Sequence, residues 1–120
     1  APALDLFERA VRFREAKSQP TELHIARWCV ARCLRSLGRL REACDRQWEL
    51  LATPQGAADG YVLEELAECL LALGAPTTAA PFFARAHAAL RQEAWLAANE
   101  APRLERLAVL GGVHPQKDAS

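Results

Sequence analysis

The residues of this 120-residue chain that are best suited to chemistry are its four cysteines and three histidines. Cys29 and Cys33 are one helical turn apart, and His24 lies slightly more than one turn before Cys29. Structural zinc needs four converging ligands, whereas the sequence has no CxxC pair and no second ligand cluster. We therefore expect no metal site and no cofactor, and we interpret the cysteines as small packing residues.

Acidic and imidazole side chains are the other candidates for catalysis. Glu64, Glu65 and Glu68 form an acidic cluster, which we interpret as a solvated helix surface. His87 and His114 have no nucleophile or orienting carboxylate near them in the sequence. The sequence also lacks the GxGxxG, P-loop and HExxH motifs. We expect no enzymatic activity within these 120 residues.

The overall composition favours an all-α protein. Ala, Leu and Glu are abundant, β-branched residues are scarce, and 13 of the 15 basic residues are Arg. Because the net charge is zero, no global field favours nucleic acid, and no apolar run approaches the roughly 20 residues that span a bilayer. We expect neither partner. Four cysteines in such a chain do not resemble a disulfide framework, so we expect a reducing, cytoplasmic setting.

Apolar spacing and helix-breaking residues divide the chain into about six helices. Gly38 and Gly74 are each expected to end a helix in the left-handed conformation. The first four predicted helices cover 3–17, Thr21 as N-cap to 37, 40–52, and Asp59 as N-cap to Gly74.

The fifth helix is predicted to begin after Thr78 as its N-cap. Pro81 then falls at the third helical position, where the missing N–H costs nothing. The following segment, 93–98, either extends this helix or forms an extra turn, with Trp95 and Leu96 folded back on the hairpin. A final helix is predicted over 102–110.

Part of the sequence repeats at a spacing of 36 residues. Six residues at a helix junction recur as identities, and such fixed spacing is typical of units that stack as a solenoid. They are Ala31, Cys33, Leu34, Leu37, Gly38 and Ala43, which recur as Ala67, Cys69, Leu70, Leu73, Gly74 and Ala79.

The repeated unit resembles the tetratricopeptide repeat. The second copy carries the pattern Leu63-x2-Leu66-Ala67-x2-Leu70, then Gly74, then Ala79-x3-Phe83 with Ala86. The first copy matches less well, because Arg27 and Gln47 stand where bulky apolar residues are expected. A third, partial match, Ala3-x3-Phe7-x2-Ala10, corresponds to the second helix of a repeat.

This resemblance implies a right-handed stack of antiparallel helix hairpins, an α-solenoid, within one domain over 1–112. The half repeat at the start leaves the outer face of the first helix to a preceding segment, to another subunit, or to solvent as a polar cap. The expected parts are a half repeat over 3–20, repeats over 21–56 and 57–92, a capping region over 93–112, and a flexible tail over 113–120.

In proteins of this family the first helices of successive repeats line a concave groove. Trp28 and Tyr61 are amphipathic aromatic residues of the kind that anchor bound peptides. Arg32 aligns with Glu68, so both an inter-helix ion pair and a ligand contact stay open. The groove positions carried over from the family are Ile25, Trp28, Arg32, Arg35, Tyr61, Glu64, Glu68 and Leu71.

The leading hypothesis is a non-enzymatic scaffold that binds a peptide or helix of another protein in this groove. One alternative is a homodimer formed through outer faces that carry Phe7, Trp48, Phe82 and Trp95. The other alternative is a helical-repeat segment of a larger regulator or enzyme.

Overall fold

The computed structural model describes residues 2–16 and 20–113. These residues form seven α-helices and no strand, which confirms the all-α prediction. The predicted tail, with His114, lies outside the described residues except for Val113. The helices are α1 (Pro2–Ala16), α2 (Pro20–Ser36), α3 (Leu40–Leu51), α4 (Gly60–Ala72), α5 (Pro76–Leu90), α6 (Ala94–Asn99) and α7 (Ala101–Leu110).

The helices belong to two compact units, Ala1–Ala58 and Asp59–Ser120. In unit 1, α1 and α3 both pack against α2. In unit 2, α5 packs against α4 and α7, and α6 packs against α7. The boundary between the units lies two residues after the predicted boundary between the repeats. The solenoid stack and the single domain stay predictions.

The two hairpin turns have the same geometry, 36 residues apart. Gly38 and Gly74 have φ values of 80° and 83°, in the left-handed region that glycine adopts without strain. The residue after each glycine donates its N–H over 2.9 Å to the carbonyl of Leu34 and of Leu70, respectively. These bonds satisfy helix carbonyls that would otherwise have no donor. The repeat seen in the sequence is therefore also a repeat of backbone structure.

The apolar residues predicted to pack the second hairpin are buried. Phe83 is 1% exposed and packs in the core of unit 2 with Leu66 and Ala86, which are 0% exposed. Cys69 is also 0% exposed, as expected of a small packing residue, whereas Cys33 is only half-buried. Burying one large apolar side chain contributes about 1.5–3 kcal/mol. Burial of these residues therefore provides much of the free energy that holds α4 against α5.

Gln47 occupies in α3 the position that Phe83 occupies in α5. Its side chain is 0% exposed, and neither amide atom has a hydrogen-bond partner. An unsatisfied buried amide costs about 1–3 kcal/mol. The core of unit 1 therefore has a polar defect where the core of unit 2 has an aromatic ring.

The predicted start of the fifth helix is wrong. Helix α5 begins at Pro76, with Ala75 as N-cap, so Pro81 lies inside the helix. The left-handed turn at Gly74 places Ala75 where its carbonyl accepts the N–H of Ala79 over 2.9 Å. Pro76 then occupies the first helical position, which suits its fixed φ. The bond lost at Pro81 frees the carbonyl of Thr77, an exposed residue that water can reach.

Three other details of the prediction need correction. Thr21 is not an N-cap, because α2 already includes Pro20. Residues 94–99 form a separate helix, so the described chain has seven helices rather than about six. Leu96 folds inward at 2% exposure, but Trp95 does not, since it is 64% exposed. The Asp59 cap is confirmed, because its side chain accepts the N–H of Tyr61 over 2.9 Å.

Candidate functional site

The predicted groove residues of unit 1 lie on the face of α2 that points away from its core. Ile25, Trp28, Arg32 and Arg35 follow one another at spacings of three, four and three residues, which aligns them along a helix. Ile25 is 55% exposed, Arg32 is exposed, and the other two are half-buried. The opposite face of α2 is buried and consists of Ala26, Val30, Ala31 and Leu34.

An aromatic ring and a guanidinium group meet on this face. The guanidinium carbon of Arg32 lies 5.5 Å from the centroid of the Trp28 ring, a cation–π contact. The pair presents a flat surface with a positive charge above it. Together with Ile25, it gives α2 an amphipathic face rather than a purely polar one.

Three of the predicted groove residues of unit 2, Tyr61, Glu64 and Glu68, are in a different state, because side chains of α7 contact them. Arg103 donates from Nε to Glu64 Oε2 over 2.9 Å and from Nη2 to Glu64 Oε1. Arg106 binds the carboxylate of Glu68 with two further bonds of 3.0 and 3.3 Å. The guanidinium carbon of Arg103 also lies 5.6 Å from the centroid of the Tyr61 ring.

Burial differs along this row of residues. Glu64 is only 7% exposed, whereas Tyr61, Glu68 and Leu71 are half-buried. A buried carboxylate is tolerated only when it is paired and hydrogen-bonded, and Arg103 supplies both conditions. Glu64 thus belongs to the internal structure of unit 2 rather than to its accessible surface.

The ionisation of the groups around Glu64 follows from these contacts. The hydrogen bond to Glu64 raises the pKa of Arg103 above its ordinary value, against the opposing effect of partial burial. Burial, followed by the negative charge of Glu93, raises the pKa of the Tyr61 phenol. Arg103 therefore stays cationic and Tyr61 stays neutral at physiological pH. The Tyr61 hydroxyl remains a hydrogen-bond donor, and its ring remains an aromatic surface.

Helix α7 is held close to α5 by a residue without a side chain. A Cβ atom at Gly111 would lie 2.5 Å from the backbone nitrogen of Ala84, a distance that real Cβ contacts do not reach. Leu107, one turn earlier, is 1% exposed. These two residues hold the C-terminal end of α7 against α5. This contact sets the position along α4 at which Arg103 and Arg106 bind.

The prediction missed the part played by α7. It assigned the segment to a capping region but gave Arg103 and Arg106 no role. A signal was present, since two arginines three residues apart can match two glutamates, Glu64 and Glu68, four residues apart. Such a match becomes convincing only when the helices are known to be neighbours. The predicted pair between Arg32 and Glu68 would join the two units and stays a prediction.

Neither Cys29 nor Cys44 is poised for nucleophilic chemistry. Burial raises the pKa of Cys29, although the charge of Arg32 acts in the opposite direction. Burial likewise raises the pKa of Cys44, against a hydrogen bond to Trp48. A raised pKa keeps each thiol protonated and weakly reactive. Within residues 2–16 and 20–113, no three side chains of His, Cys, Asp or Glu converge in a way that suits a metal ion.

Comparisons with known proteins give no match: no protein-family model, no curated protein and no solved structure matches the chain. None of the helices in the described part of the chain combines the length and the apolar character needed to cross a membrane.

Proposed function

We propose that this protein is a non-enzymatic interaction scaffold built from tetratricopeptide-like hairpins, which binds a peptide or helix of another protein. Its binding surface is the outward face of α2, the first helix of the first hairpin, because α7 covers the equivalent face of α4. In this proposal the protein itself binds neither nucleic acid nor a membrane, and the setting is cytoplasmic. The concave groove of a right-handed solenoid belongs to the same proposal.

One observation carries the proposal: the outward face of α4 already receives another helix of the same chain. Arg103 and Arg106 of α7 bind Glu64 and Glu68 at 2.9–3.3 Å, and Arg103 also covers Tyr61. Recognition of a helix commonly uses anchors at such i, i+3, i+4 and i+7 positions. This face of the repeated unit is therefore chemically able to hold a helix.

The equivalent face of α2 supports the proposal from unit 1. Ile25 stands 36 residues before Tyr61 and is 55% exposed, and Trp28 stands 36 residues before Glu64. Aromatic residues that combine an apolar body with a polar end are enriched among the residues that dominate binding energies. Ile25 and Trp28 are the anchors to which we assign the binding of a partner.

Affinity capture with quantitative mass spectrometry tests this function. The bait is the full chain, and the variant replaces both anchors, Ile25→Ser with Trp28→Ala. Leu6→Ser serves as the control, because Leu6 is a 60% exposed apolar residue of α1 in the same unit. The proposal predicts that partners are lost with the double variant and kept with the control, while helical circular dichroism is unchanged. Partners retained at full yield by the double variant contradict it.

Self-association is the second candidate, and the exposure of two tryptophans favours it. Trp95 is 64% exposed and Trp48 is 41% exposed. Phe82 is half-buried and is covered by Arg85 at 5.6 Å from its ring centroid, so it is a weaker candidate for a contact between copies. Light scattering during size exclusion tests this function, because a dimer that dissociates with Trp95→Ser supports it and a concentration-independent monomer refutes it.

A further inference from the structure

Unit 1 has a cleft between α1 and α3, next to α2, the helix against which both of them pack. Its volume is about 420 Å³, within the range of about 300–1,000 Å³ that is usual for small-ligand sites. Val11, Val30 and Leu50 form an apolar floor, with one residue from each of the three helices. The last two are 4% and 3% exposed, so the floor is continuous with the core of the unit.

Charged residues of both signs surround this floor. One pair is already satisfied, because Arg27 Nη2 lies 2.8 Å from Glu15 Oε2. The other four lining charges, named at the end of this paragraph, make no ion pair with any described residue. They come equally from α1 and α3, and each helix supplies one of each sign. They are Glu8 and Arg12 of α1, and Arg46 and Glu49 of α3.

Unit 2 also has a helix, α5, with a neighbour on either side. There the helices on either side of α5 are joined directly, since Arg103 of α7 binds Glu64 of α4 over 2.9 Å. In the described part of unit 1, no ion pair joins α1 to α3 in this way. The four charges of the cleft are therefore not held in ion pairs of this kind, whereas Arg103 and Glu64 of unit 2 bind each other.

A buried polar side chain of α3, Gln47, follows a cleft-lining residue in sequence but does not itself line the cleft. Gln47 is 0% exposed and has no hydrogen-bond partner for either amide atom. Its neighbours on α3, Arg46 and Leu50, both line the cleft. Natural cores seldom leave a buried amide unsatisfied. Gln47 is thus a polar site within the core of unit 1, separate from the residues that line the cleft.

From these features we propose that the cleft binds a short zwitterionic peptide with an apolar side chain. Arg12 and Arg46 hold its carboxylate, since guanidinium groups bind carboxylates with two parallel hydrogen bonds. Glu8 and Glu49 hold its ammonium group. The apolar side chain rests on the floor between them. A purely anionic or purely cationic ligand would pair with only two of these four side chains and would be repelled by the other two. The equal number of Arg and Glu side chains therefore favours a ligand that carries one charge of each sign.

Titration of the ¹⁵N-labelled full chain with the tripeptide Ala-Leu-Ala tests this site. Three further forms of the peptide are compared: N-acetylated, C-amidated, and blocked at both ends. The proposal predicts saturable shifts of cleft amides with the free peptide, and a loss of about tenfold in affinity on blocking either end. The acetylated form also represents the C-terminal end of a protein chain.

Variants of the chain complete the test. Arg46→Gln and Glu49→Gln are each expected to weaken the free peptide by about fivefold or more, and they retain the helical circular dichroism of the wild type because both residues are exposed. Arg41→Gln, an exposed residue of α3 that does not line the cleft, leaves affinity unchanged. Equal binding of the blocked peptides overturns the proposal. So does the lack of saturable binding by folded chain up to about 10 mM peptide. Neither result bears on the α2 face.

Discussion

Arg103 of α7 donates two hydrogen bonds to the carboxylate of Glu64 of α4, although the residues are 39 positions apart in sequence. The side chain of Glu64 is 10% exposed and that of Arg103 is 31% exposed. This pair joins the first helix of the second hairpin to the last helix of the chain. It also shows that a carboxylate on the outward face of a first helix can bind an arginine of another helix.

Replacement of Arg103 by alanine should destabilise unit 2 by about 2–3 kcal/mol, because the buried carboxylate of Glu64 loses its only described charge partner. Arg106→Ala is the matched control. Its pair with Glu68 is more exposed, at 49% and 20% of the two side chains, and should contribute less than about 1 kcal/mol. Urea unfolding followed by circular dichroism measures both. Equal losses in the two variants would mean that burial of Glu64 does not determine the cost.

The double variant Arg103→Leu with Glu64→Leu separates the value of the pair from the cost of breaking it. A buried ion pair replaced by apolar residues of similar size is often neutral or stabilising. The double variant should therefore unfold at a urea concentration closer to that of the wild type than Arg103→Ala does. If it is the least stable of the three, packing rather than charge governs this contact.

Gln47→Met should stabilise unit 1 by about 1 kcal/mol or more, since it removes an unsatisfied buried amide and nearly keeps its volume. Gln92→Met provides the control, because Gln92 is exposed and its replacement should change the free energy of unfolding by less than about 0.5 kcal/mol. Thermal unfolding measures the difference. A destabilised Gln47→Met variant would show that the amide is satisfied in solution, by water or by a ligand.

The stability of unit 2 should fall as the pH drops through the range in which histidine titrates. Burial, followed by the charge of Arg91, lowers the pKa of His87 below its ordinary value of 6.5. The unfolded chain therefore takes up the proton at a higher pH than the folded chain does, and protonation favours unfolding. The contribution of His87 is complete above about pH 7.5 and declines as the pH falls through 6.5.

Unfolding free energies measured between about pH 7.5 and 5.5 test this relationship. The variant His87→Gln should show a flatter dependence than the wild type over that interval, because glutamine does not titrate. If the two slopes coincide, His87 has the same proton affinity in the folded and unfolded chain.

Local rules of sequence predicted much of the fold. The left-handed ends at Gly38 and Gly74 and the cap at Asp59 each depend on residues within one turn of the feature. Such features follow from backbone chemistry that needs no knowledge of distant contacts. The same rules predicted the wrong start for α5, because they treated Pro81 as excluded from the helix interior. The helix instead begins at Pro76, and loses one hydrogen bond at an exposed position.

The candidate site was less accessible to prediction. The resemblance to the tetratricopeptide repeat placed Ile25, Trp28, Arg32 and Arg35 on one face of α2, and their spacing along that helix does align them. The state of Glu64 could not be predicted, because its burial depends on a helix that begins 37 residues later. Gln47 shows the same limit, since a polar residue at a core position gives no sign in the sequence of how its hydrogen bonds are satisfied.

Site-specific photo-cross-linking tests the central claim most directly. A benzoylphenylalanine residue at position 25 replaces Ile25, which is 55% exposed on α2. The control places the same residue at position 6, where Leu6 is 60% exposed on α1. After irradiation of cells that produce the full chain, the account predicts a discrete covalent adduct with a partner protein at position 25 and not at position 6. Adducts of equal yield at both positions, or none at position 25, would contradict it.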